Sequence, residues 1–441
     1  MFRRLMPVAV TFALLVAAAP LAAAEKAKPA EFPLADAVEC HARGGLPNFF
    51  AKLEAGGDVR IGYLGGSITA QEGWRPKTRK YFQTQFPKAK VSEINAAIGG
   101  TGSDLGAYRV RHDVLDKKPD LVFVEFAVND GGTDPDQIVR CMEGIVRQTW
   151  KADPATDICF VYTVTDTLIK PLYEGKYPRA ASVMETVAEH YGIPSIHMAM
   201  EVAKQAKAGT LLLKHPKPVT DEEKKAVEGK TIFASDGVHP HPETGHELYL
   251  AAVVRSMEKF KAVAAKPAAH ALPAPMAADN WENAKMVPLS AANPTAGWQK
   301  LDPATVPMAK SWTGRMGEFW KAEKPGARFT FKFKGTAAAI YGLLGPDGGR
   351  IRFTVDDQPP AERTLFDHYC TGHRLAAIGI AKNLPDAVHT VTVELTDEPV
   401  DKAKIFKDAH KEVPDIATNP KYSALNAYAG AILLVGELVA E

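Results

Sequence analysis

The stretch that most constrains the fold is Asp120–Val128 (Asp-Leu-Val-Phe-Val-Glu-Phe-Ala-Val), an almost unbroken apolar run. A strand that is apolar on both faces is typical of the centre of a parallel sheet with helices on both sides. The run ends at Asn129-Asp130-Gly131-Gly132, a sequence typical of a turn. The chain around it must therefore supply neighbouring strands and covering helices.

The flanking sequence supplies both, in alternation. Strands are predicted at 59–64, 91–97, 158–164 and 193–198, and helices at 77–86, 105–115, 135–151, 180–191 and 242–260. The lysine-rich stretch 201–229 is predicted to be irregular or helical at the surface. Strands that alternate with helices of this length form βαβ units. Residues 25–260 therefore predict an α/β domain with a mostly parallel sheet.

The composition and the predicted secondary structure of the chain change after residue 260. Residues 261–280 contain nine alanines and three prolines, which predicts a linker. Beyond it, Phe329, Phe331 and Phe333 alternate with polar residues, and further short apolar runs lie between Gly, Pro and Asp turns. Little helix is evident there outside about 399–410. Residues 281–441 therefore predict an all-β sandwich domain.

The first 24 residues have the features of a secretory signal peptide. Arg3 and Arg4 precede a short apolar run, and Ala22-Ala23-Ala24 offers a small-residue cleavage site before Glu25. A retained membrane anchor is disfavoured, because the apolar run is short for a span and no other segment approaches ~20 apolar residues. We therefore expect cleavage near Ala24–Glu25 and a secreted or periplasmic protein.

Charge and cysteine content exclude several classes of protein. The 53 basic and 52 acidic residues nearly cancel, so nothing favours nucleic acid or an anionic membrane surface as a partner. The four cysteines are too few and too scattered for a disulfide framework or a zinc cluster. Export would permit one or two disulfides, with the pairing open. The oligomeric state is not indicated.

Polar residues follow the predicted strands at the points where each one ends. Ser67 comes directly after the strand at 59–64 and the pair Gly65-Gly66, where glycines permit a sharp turn. Gly100 and Asn129 follow the next two strands. Because the carboxyl ends of parallel strands meet at one edge of a sheet, these residues can converge there.

Together with Asp236 and His239, these residues meet the needs of acyl transfer. Ser67 would attack as nucleophile, His239 would take its proton, and Asp236 would orient the imidazole. The backbone N–H groups of Ser67 and Gly100 and the side-chain amide of Asn129 would face the developing oxyanion. No metal or organic cofactor is required by this scheme.

The same residues carry a family resemblance. Gly65-Gly66-Ser67, Gly100, Val128-Asn129-Asp130 and Asp236-Gly237-Val238-His239 resemble the four ordered motifs of SGNH (GDSL-type) hydrolases, over about 59–260. The resemblance implies a flavodoxin-like three-layer α/β/α sandwich and ester hydrolysis by the roles just given. Two positions depart from the family pattern: the first motif reads Gly-Gly-Ser-Ile-Thr instead of Gly-Asp-Ser-Leu, and Ala127 replaces a glycine. Neither change removes a catalytic atom.

Competing motifs fit less well. Thr69 stands where the α/β-hydrolase elbow Gly-x-Ser-x-Gly needs its second glycine. His239, His241 and His246 are potential metal ligands, but no zinc-type spacing surrounds them, so no metal is expected.

Some neighbouring residues have two possible roles. Trp74 and Arg75 follow the Ser67 turn and could contact substrate, although Trp74 could equally pack beneath the loop. Glu125 lies in an apolar strand and needs a partner when buried. Tyr108, Arg109 and Arg111 are candidates for that partner.

The second domain bears on the substrate. It holds Trp281, Trp298, Trp312 and Trp320, which could stack on sugar rings or pack in the core. Its architecture resembles jelly-roll accessory domains of some SGNH carbohydrate esterases. We therefore expect an exported serine esterase that removes acyl groups, most plausibly acetyl, from a polysaccharide or oligosaccharide. The alternatives are a lipase, thioesterase or envelope acyltransferase on the same fold, and a non-catalytic glycan-binding protein.

Overall fold

In the computed structural model, which describes residues 32–294, 297–411, 416 and 418–439, the apolar run at 120–128 contains a central strand, which ends at Glu125. The predicted signal peptide lies outside the described residues. The strands of the N-terminal domain are β1 (Cys40–His41), β2 (Asp58–Gly65), β3 (Lys90–Asn95), β4 (Leu121–Glu125), β5 (Asp157–Tyr162), β6 (Ser195–His197), β7 (Leu211–Lys214) and β8 (Thr231–Ala234). Its helices are α1 (Pro47–Ala55), α2 (Ser67–Ala70), α3 (Trp74–Gln85), α4 (Ser103–Asp113), α5 (Pro135–Ala152), α6 (Lys170–Tyr173), α7 (Arg179–His190), α8 (Met200–Lys207), α9 (Asp221–Ala226) and α10 (Gly245–Val263).

Six of these strands form one sheet in the order β1-β6-β5-β4-β2-β3. All neighbours pair in parallel except the short β1, which is antiparallel to β6. The helices form two sets. In one set, α5 contacts α4 and α7, and in the other, α10 contacts α3 and α8. Every residue of β4 and β5 is buried. The predicted α/β/α fold with a parallel sheet is confirmed.

The lysine-rich stretch is more regular than the sequence indicated. It contains most of α8, β7 and α9, and β7 pairs in parallel with β8, which follows just after the stretch. We did not predict these two strands, because runs of four residues at the surface carry little periodic signal. They lead directly into the Asp236–His239 turn.

Of the predicted linker at 261–280, residues 261–263 belong to α10, and residues 264–280 are fastened along the N-terminal domain. The Glu143 carboxylate accepts hydrogen bonds from the backbone N–H groups of Met276 and Ala277. Asn48 exchanges two hydrogen bonds with Ala268. The alanine and proline composition gave no sign of these contacts, because their partners lie more than a hundred residues away in sequence.

The C-terminal domain is an antiparallel β structure. Its strands are β9 (Ala284–Pro288), β10 (Trp298–Lys300), β11 (Trp320–Ala322), β12 (Arg328–Leu344), β13 (Arg350–Val355), β14 (Ala361–Thr364), β15 (Arg374–Ala381), β16 (Ala387–Leu395) and β17 (Ala427–Val439), with helices α11 (Pro307–Met316) and α12 (Lys402–Asp408). β12 pairs with β16 along its first half and with β15 along its second half. Phe329, Phe331 and Phe333 lie in the core, as their alternation predicted. The helix α11 was not predicted.

The two domains share a packed interface on α4 and α5. The Trp281 ring lies 4.9 Å from the Tyr108 ring, centroid to centroid. A side chain on Gly144 would come within 2.6 Å of the Trp281 backbone, so only glycine admits this approach. Gln148 donates to the carbonyls of both Ala107 and Trp281. The α4 and α5 helices therefore connect the second domain to the loops that precede them.

Within the described residues, no helix has the length and apolar character needed to span a membrane. All four cysteines belong to the described part of the chain, and each is a free thiol.

Candidate active site

Ser67 begins the one-turn helix α2 immediately after β2, at the carboxyl edge of the sheet. Its backbone N–H, as the first of a helix, has no partner within that helix. We expected Gly65 and Gly66 to provide unusual backbone angles, and that reason is wrong: φ of Gly66 is −90°. Close approach excludes side chains instead, because a Cβ on Gly66 would lie 2.0 Å from Asn129 Oδ1. A Cβ on Gly65 would lie 2.8 Å from the Glu125 carbonyl oxygen.

The Asp236–His239 turn delivers an imidazole to Ser67. His239 Nε2 lies 2.8 Å from Ser67 Oγ, and His239 Nδ1 lies 2.6 Å from Asp236 Oδ2. Because an ionised carboxylate only accepts, Nδ1 carries the proton and Nε2 is free to accept from the serine hydroxyl. The structure therefore brings together the three residues in the order that the sequence predicted. Their catalytic roles stay a prediction.

Hydrogen bonds fix the charge and position of Asp236. Its Oδ1 atom accepts from the backbone N–H groups of Val238, at 2.9 Å, and His239, at 2.8 Å. Burial acts to raise the pKa of Asp236, but these bonds and that of the His239 ring outweigh it and lower the pKa to about 2. Asp236 is therefore an anion that orients the imidazole at any ordinary pH.

The two other predicted oxyanion donors lie beside Ser67. Gly100 adopts φ +72°, a conformation that glycine tolerates, with no atom within 4 Å of the space for a side chain. A Cβ on the preceding Gly99 would lie 3.5 Å from Ser67 Cβ, so this loop runs next to the serine. The Asn129 side chain lies against Gly66. The predicted site therefore assembles from four separate chain segments.

Glu125 is buried at the end of β4 and has two hydroxyl partners. Thr69 donates to it at 2.9 Å and Thr163 at 2.7 Å. Burial raises the pKa of Glu125, although both hydrogen bonds act in the opposite direction. The expectation of a partner is correct, but the candidates were wrong: Arg109 instead pairs with Asp113, at 2.9 Å. Glu125 thus braces the turn that carries Ser67.

Trp74 and Arg75 do not face the candidate site, which corrects the expectation of substrate contact. Trp74 has no exposed surface and packs edge-on against Tyr63 and Phe123. Arg75 is 1% exposed and forms ion pairs with Glu72 and Glu93. Trp74 is therefore held by apolar packing beneath the loop, and Arg75 is held by its two ion pairs.

His246 supports the loop that follows α2. Its Nδ1 accepts from the Trp74 backbone N–H at 3.1 Å, and its Nε2 lies 3.2 Å from Gln71 Oε1. Burial, assisted by the charge of Lys77, lowers the pKa of His246 to about 4, so the ring is neutral. His241 instead lies 3.2 Å from Ser235 Oγ. In the part of the chain that the structure describes, no group of three or more His, Cys, Asp or Glu side chains could hold a metal ion.

Of the two roles considered for the tryptophans of the second domain, the structure favours packing. Trp281 lies in the domain interface, and Trp298 packs against Phe329 in the core. Trp320 packs against the same core from a half-buried position. Trp312 is half-buried on α11. Core and interface packing is thus the main role of these residues.

One residue of the site had no role in the sequence analysis beyond its place in the motif Val128-Asn129-Asp130. Asp130 is 2% exposed, and its carboxylate accepts from the Ser103 backbone N–H. The only signal in the sequence was its position next to Asn129, because its partner lies on another loop.

Comparisons with known proteins bear on the family and the fold. Residues 63–248 match the family model of the GDSL-like Lipase/Acylhydrolase family. No curated protein sequence matches the chain. Among solved structures, a two-domain esterase active on acetylated mannans is similar with TM-score 0.67 and 21% identity, over 90% of this chain and 97% of the other. Its complex with mannopentaose gives the same values. At this identity, the likeness shows the shared two-domain fold.

An acetylxylan esterase from Geobacillus stearothermophilus is 18% identical over 45% of this chain and 94% of its own, with TM-score 0.34. That score is too low to support a conclusion. The evidence of family comes instead from the matched residues, which include Ser67, Gly100, Asn129, Asp236 and His239. Residues 63–248 thus carry a GDSL-like lipase/acylhydrolase domain, as the motifs predicted, and this domain marks the protein as a carboxylic ester hydrolase.

Proposed function

We propose that this protein is an exported serine esterase that removes acetyl groups from an acetylated polysaccharide. The observation that carries the proposal is the hydrogen-bonded series Asp236–His239–Ser67 at a sheet edge, flanked by Gly100 and Asn129. The two-domain neighbour that acts on acetylated mannans supports the substrate class. Acetylated mannan is therefore the first substrate to try.

In the first half of the reaction, Ser67 Oγ attacks the ester carbonyl carbon while His239 Nε2 takes the hydroxyl proton. The carbonyl oxygen becomes an oxyanion, which the N–H groups of Ser67 and Gly100 and the Asn129 amide would stabilise. When the tetrahedral intermediate collapses, the imidazolium gives its proton to the departing sugar oxygen. The products are a free sugar hydroxyl and an acetylated Ser67.

In the second half, water replaces the sugar. His239 Nε2 takes a proton from the attacking water, and the second tetrahedral intermediate expels Ser67 Oγ, which recovers that proton. Acetate leaves. Asp236 stays ionised throughout and stabilises the imidazolium that forms twice in each cycle. If a sugar hydroxyl took the place of water, the same site would transfer the acyl group, which is the alternative function of this fold.

The test measures acetate release from acetylated glucomannan, xylan and pectin by the wild type, Ser67→Ala and Ser92→Ala. Ser92 is a matched control, because its hydroxyl donates to the Val59 carbonyl in the sheet. We expect release by the wild type and Ser92→Ala, and none above background by Ser67→Ala.

Each other outcome overturns a defined part of the proposal. Equal activity of Ser67→Ala would remove Ser67 as nucleophile. Turnover of a small acetyl ester without release from any polysaccharide would overturn the substrate class. Acetyl transfer to a sugar acceptor in preference to water would favour the acyltransferase.

A cleaved N-terminus at Glu25 in the exported protein would support the proposed signal peptide, and retention of residues 1–24 would contradict it.

A further inference from the structure

Asp130 reaches from one loop of the site to the other. It follows Asn129 at the end of β4, and both of its carboxylate oxygens face the backbone N–H of Ser103, at 3.1 and 3.3 Å. Ser103 begins α4, three residues after Gly100. The scheme for ester hydrolysis gives this side chain no role. A single buried carboxylate thus joins the segments that carry two of the predicted oxyanion donors.

The backbone around Asp130 leaves space for its carboxylate. A Cβ on Gly102 would lie 2.3 Å from Asp130 Oδ1, so a side chain at that position would displace it. The backbone N–H of Asp130 donates to Phe126 at 2.9 Å, and its carbonyl accepts from Thr133 at 2.9 Å. The main chain on the Asn129 side is therefore fixed, and the carboxylate extends from it to the Gly100 side.

We propose that Asp130 is a positioning residue that holds the Gly100 loop and Asn129 at a fixed separation, so that both donors face the same oxyanion. This inference rests on the proposed function, in which those donors act. Oxyanion donors contribute most when their geometry is set before the reaction begins. A displacement of about 1 Å can cost on the order of a hundredfold in rate.

The charge environment argues that this side chain is not there for stability alone. Burial raises the pKa of Asp130 to about 7, the Ser103 hydrogen bonds oppose that change, and Asp104 on α4 and Glu125 on β4 add to it. The buried Cys141 thiol on α5 faces the same region. Burying a carboxylate beside two acidic neighbours costs free energy, and one hydrogen bond to an N–H group does not by itself account for that cost.

The test compares Asp130→Ala and Asp130→Asn with Asp157→Ala as matched control. Asp157 has no exposed surface and accepts from the Phe49 backbone N–H at 2.8 Å, but it lies at the amino end of β5. We expect Asp130→Ala to lose about 10- to 100-fold in kcat for p-nitrophenyl acetate, with KM changed less than about threefold. Asp130→Asn, which still offers an oxygen to Ser103, should recover most of that loss. Asp157→Ala should keep the wild-type kcat.

A double-mutant cycle separates positioning from a general loss of structure. If Asp130 acts through the donors, Asn129→Ala combined with Asp130→Ala should cost clearly less than the product of the two single losses. Asn129→Ala combined with Asp157→Ala should show independent effects. Full independence of the Asp130 and Asn129 losses, or an unchanged kcat in Asp130→Ala, would overturn the inference.

Amide hydrogen exchange distinguishes this inference from the proposed function. Peptides that span 99–106 and 127–133 should exchange faster in Asp130→Ala than in the wild type or Asp157→Ala. If the wild type hydrolyses no acyl ester, the proposed function fails, and faster exchange would still show that Asp130 ties the loops. Unchanged exchange would overturn the tie itself, whatever the activity.

Discussion

Two aspartate–histidine pairs lie at opposite edges of the sheet of the α/β domain. At the carboxyl edge, His239 Nδ1 lies 2.6 Å from Asp236. At the amino edge, His270 Nε2 lies 2.7 Å from Asp157. The distances are almost the same, yet only the first pair has a serine hydroxyl at the other ring nitrogen.

The surroundings explain the difference. The His270 ring stacks on Trp150 with 4.7 Å between ring centroids, and its backbone N–H donates to Pro154. Asp157 also accepts from the Phe49 backbone N–H. This second pair therefore fastens residues 264–280 to the domain. An aspartate–histidine pair is not a catalytic site by itself. Its role depends on which group lies at the imidazole nitrogen that does not contact the aspartate.

The largest expected effect is a difference in kcat between variants of the two histidines. His239→Ala should lower kcat for a small acetyl ester by on the order of 10⁴- to 10⁶-fold, because the serine loses its base. His270→Ala should leave kcat unchanged and lower the free energy of unfolding by about 1–3 kcal/mol, because Asp157 loses a buried hydrogen-bond partner. Steady-state kinetics and urea denaturation of both variants measure this difference. Equal loss of kcat in the two would contradict the comparison.

A smaller effect is expected at the donors beside Ser67. Asn129→Ala should lower kcat by about 100- to 1000-fold with little change in folding, because one oxyanion donor is lost. Kinetics with p-nitrophenyl acetate and the thermal midpoint of each variant measure both quantities. A loss of only a few-fold would remove Asn129 from this role.

The site residues could be predicted because each one marks a local pattern. Ser67, Gly100 and Asn129 follow apolar strands at glycine-rich turns, and the rules of parallel sheets bring such ends together. Asp236 and His239 lie three residues apart, so a single turn joins them. Local sequence therefore predicted most of the candidate site and the parallel arrangement of the sheet.

The missed features depend on partners far away in the chain. Asp130 meets Ser103 across 27 residues, and Glu125 meets Thr69 across 56. The same holds for residues 264–280, whose alanines and prolines indicate a linker unless the distant Glu143 and Asn48 are known. Arg75 was a candidate for substrate contact because it follows the Ser67 turn, whereas the structure pairs it with Glu72 and Glu93.

The smallest effect concerns pH and Asp236. Its folded pKa is lowered to about 2, so the anion adds stability above the unfolded value near 4, and that contribution is lost as pH falls toward 2. The difference in unfolding free energy between the wild type and Asp236→Asn should be constant from about pH 5 to 8 and shrink below about pH 4. Urea denaturation at pH 6 and pH 3 measures it. A difference that grows on acidification would contradict the hydrogen-bonded anion.

The central claim is that Ser67 is the nucleophile, activated through His239. The most direct measurement is mass spectrometry after treatment with a fluorophosphonate, which reacts covalently with activated serines. We predict one adduct per chain, on the peptide that contains Ser67, in the wild type and His270→Ala, and none in His239→Ala. No adduct in the wild type, or an adduct on another serine, would contradict the claim.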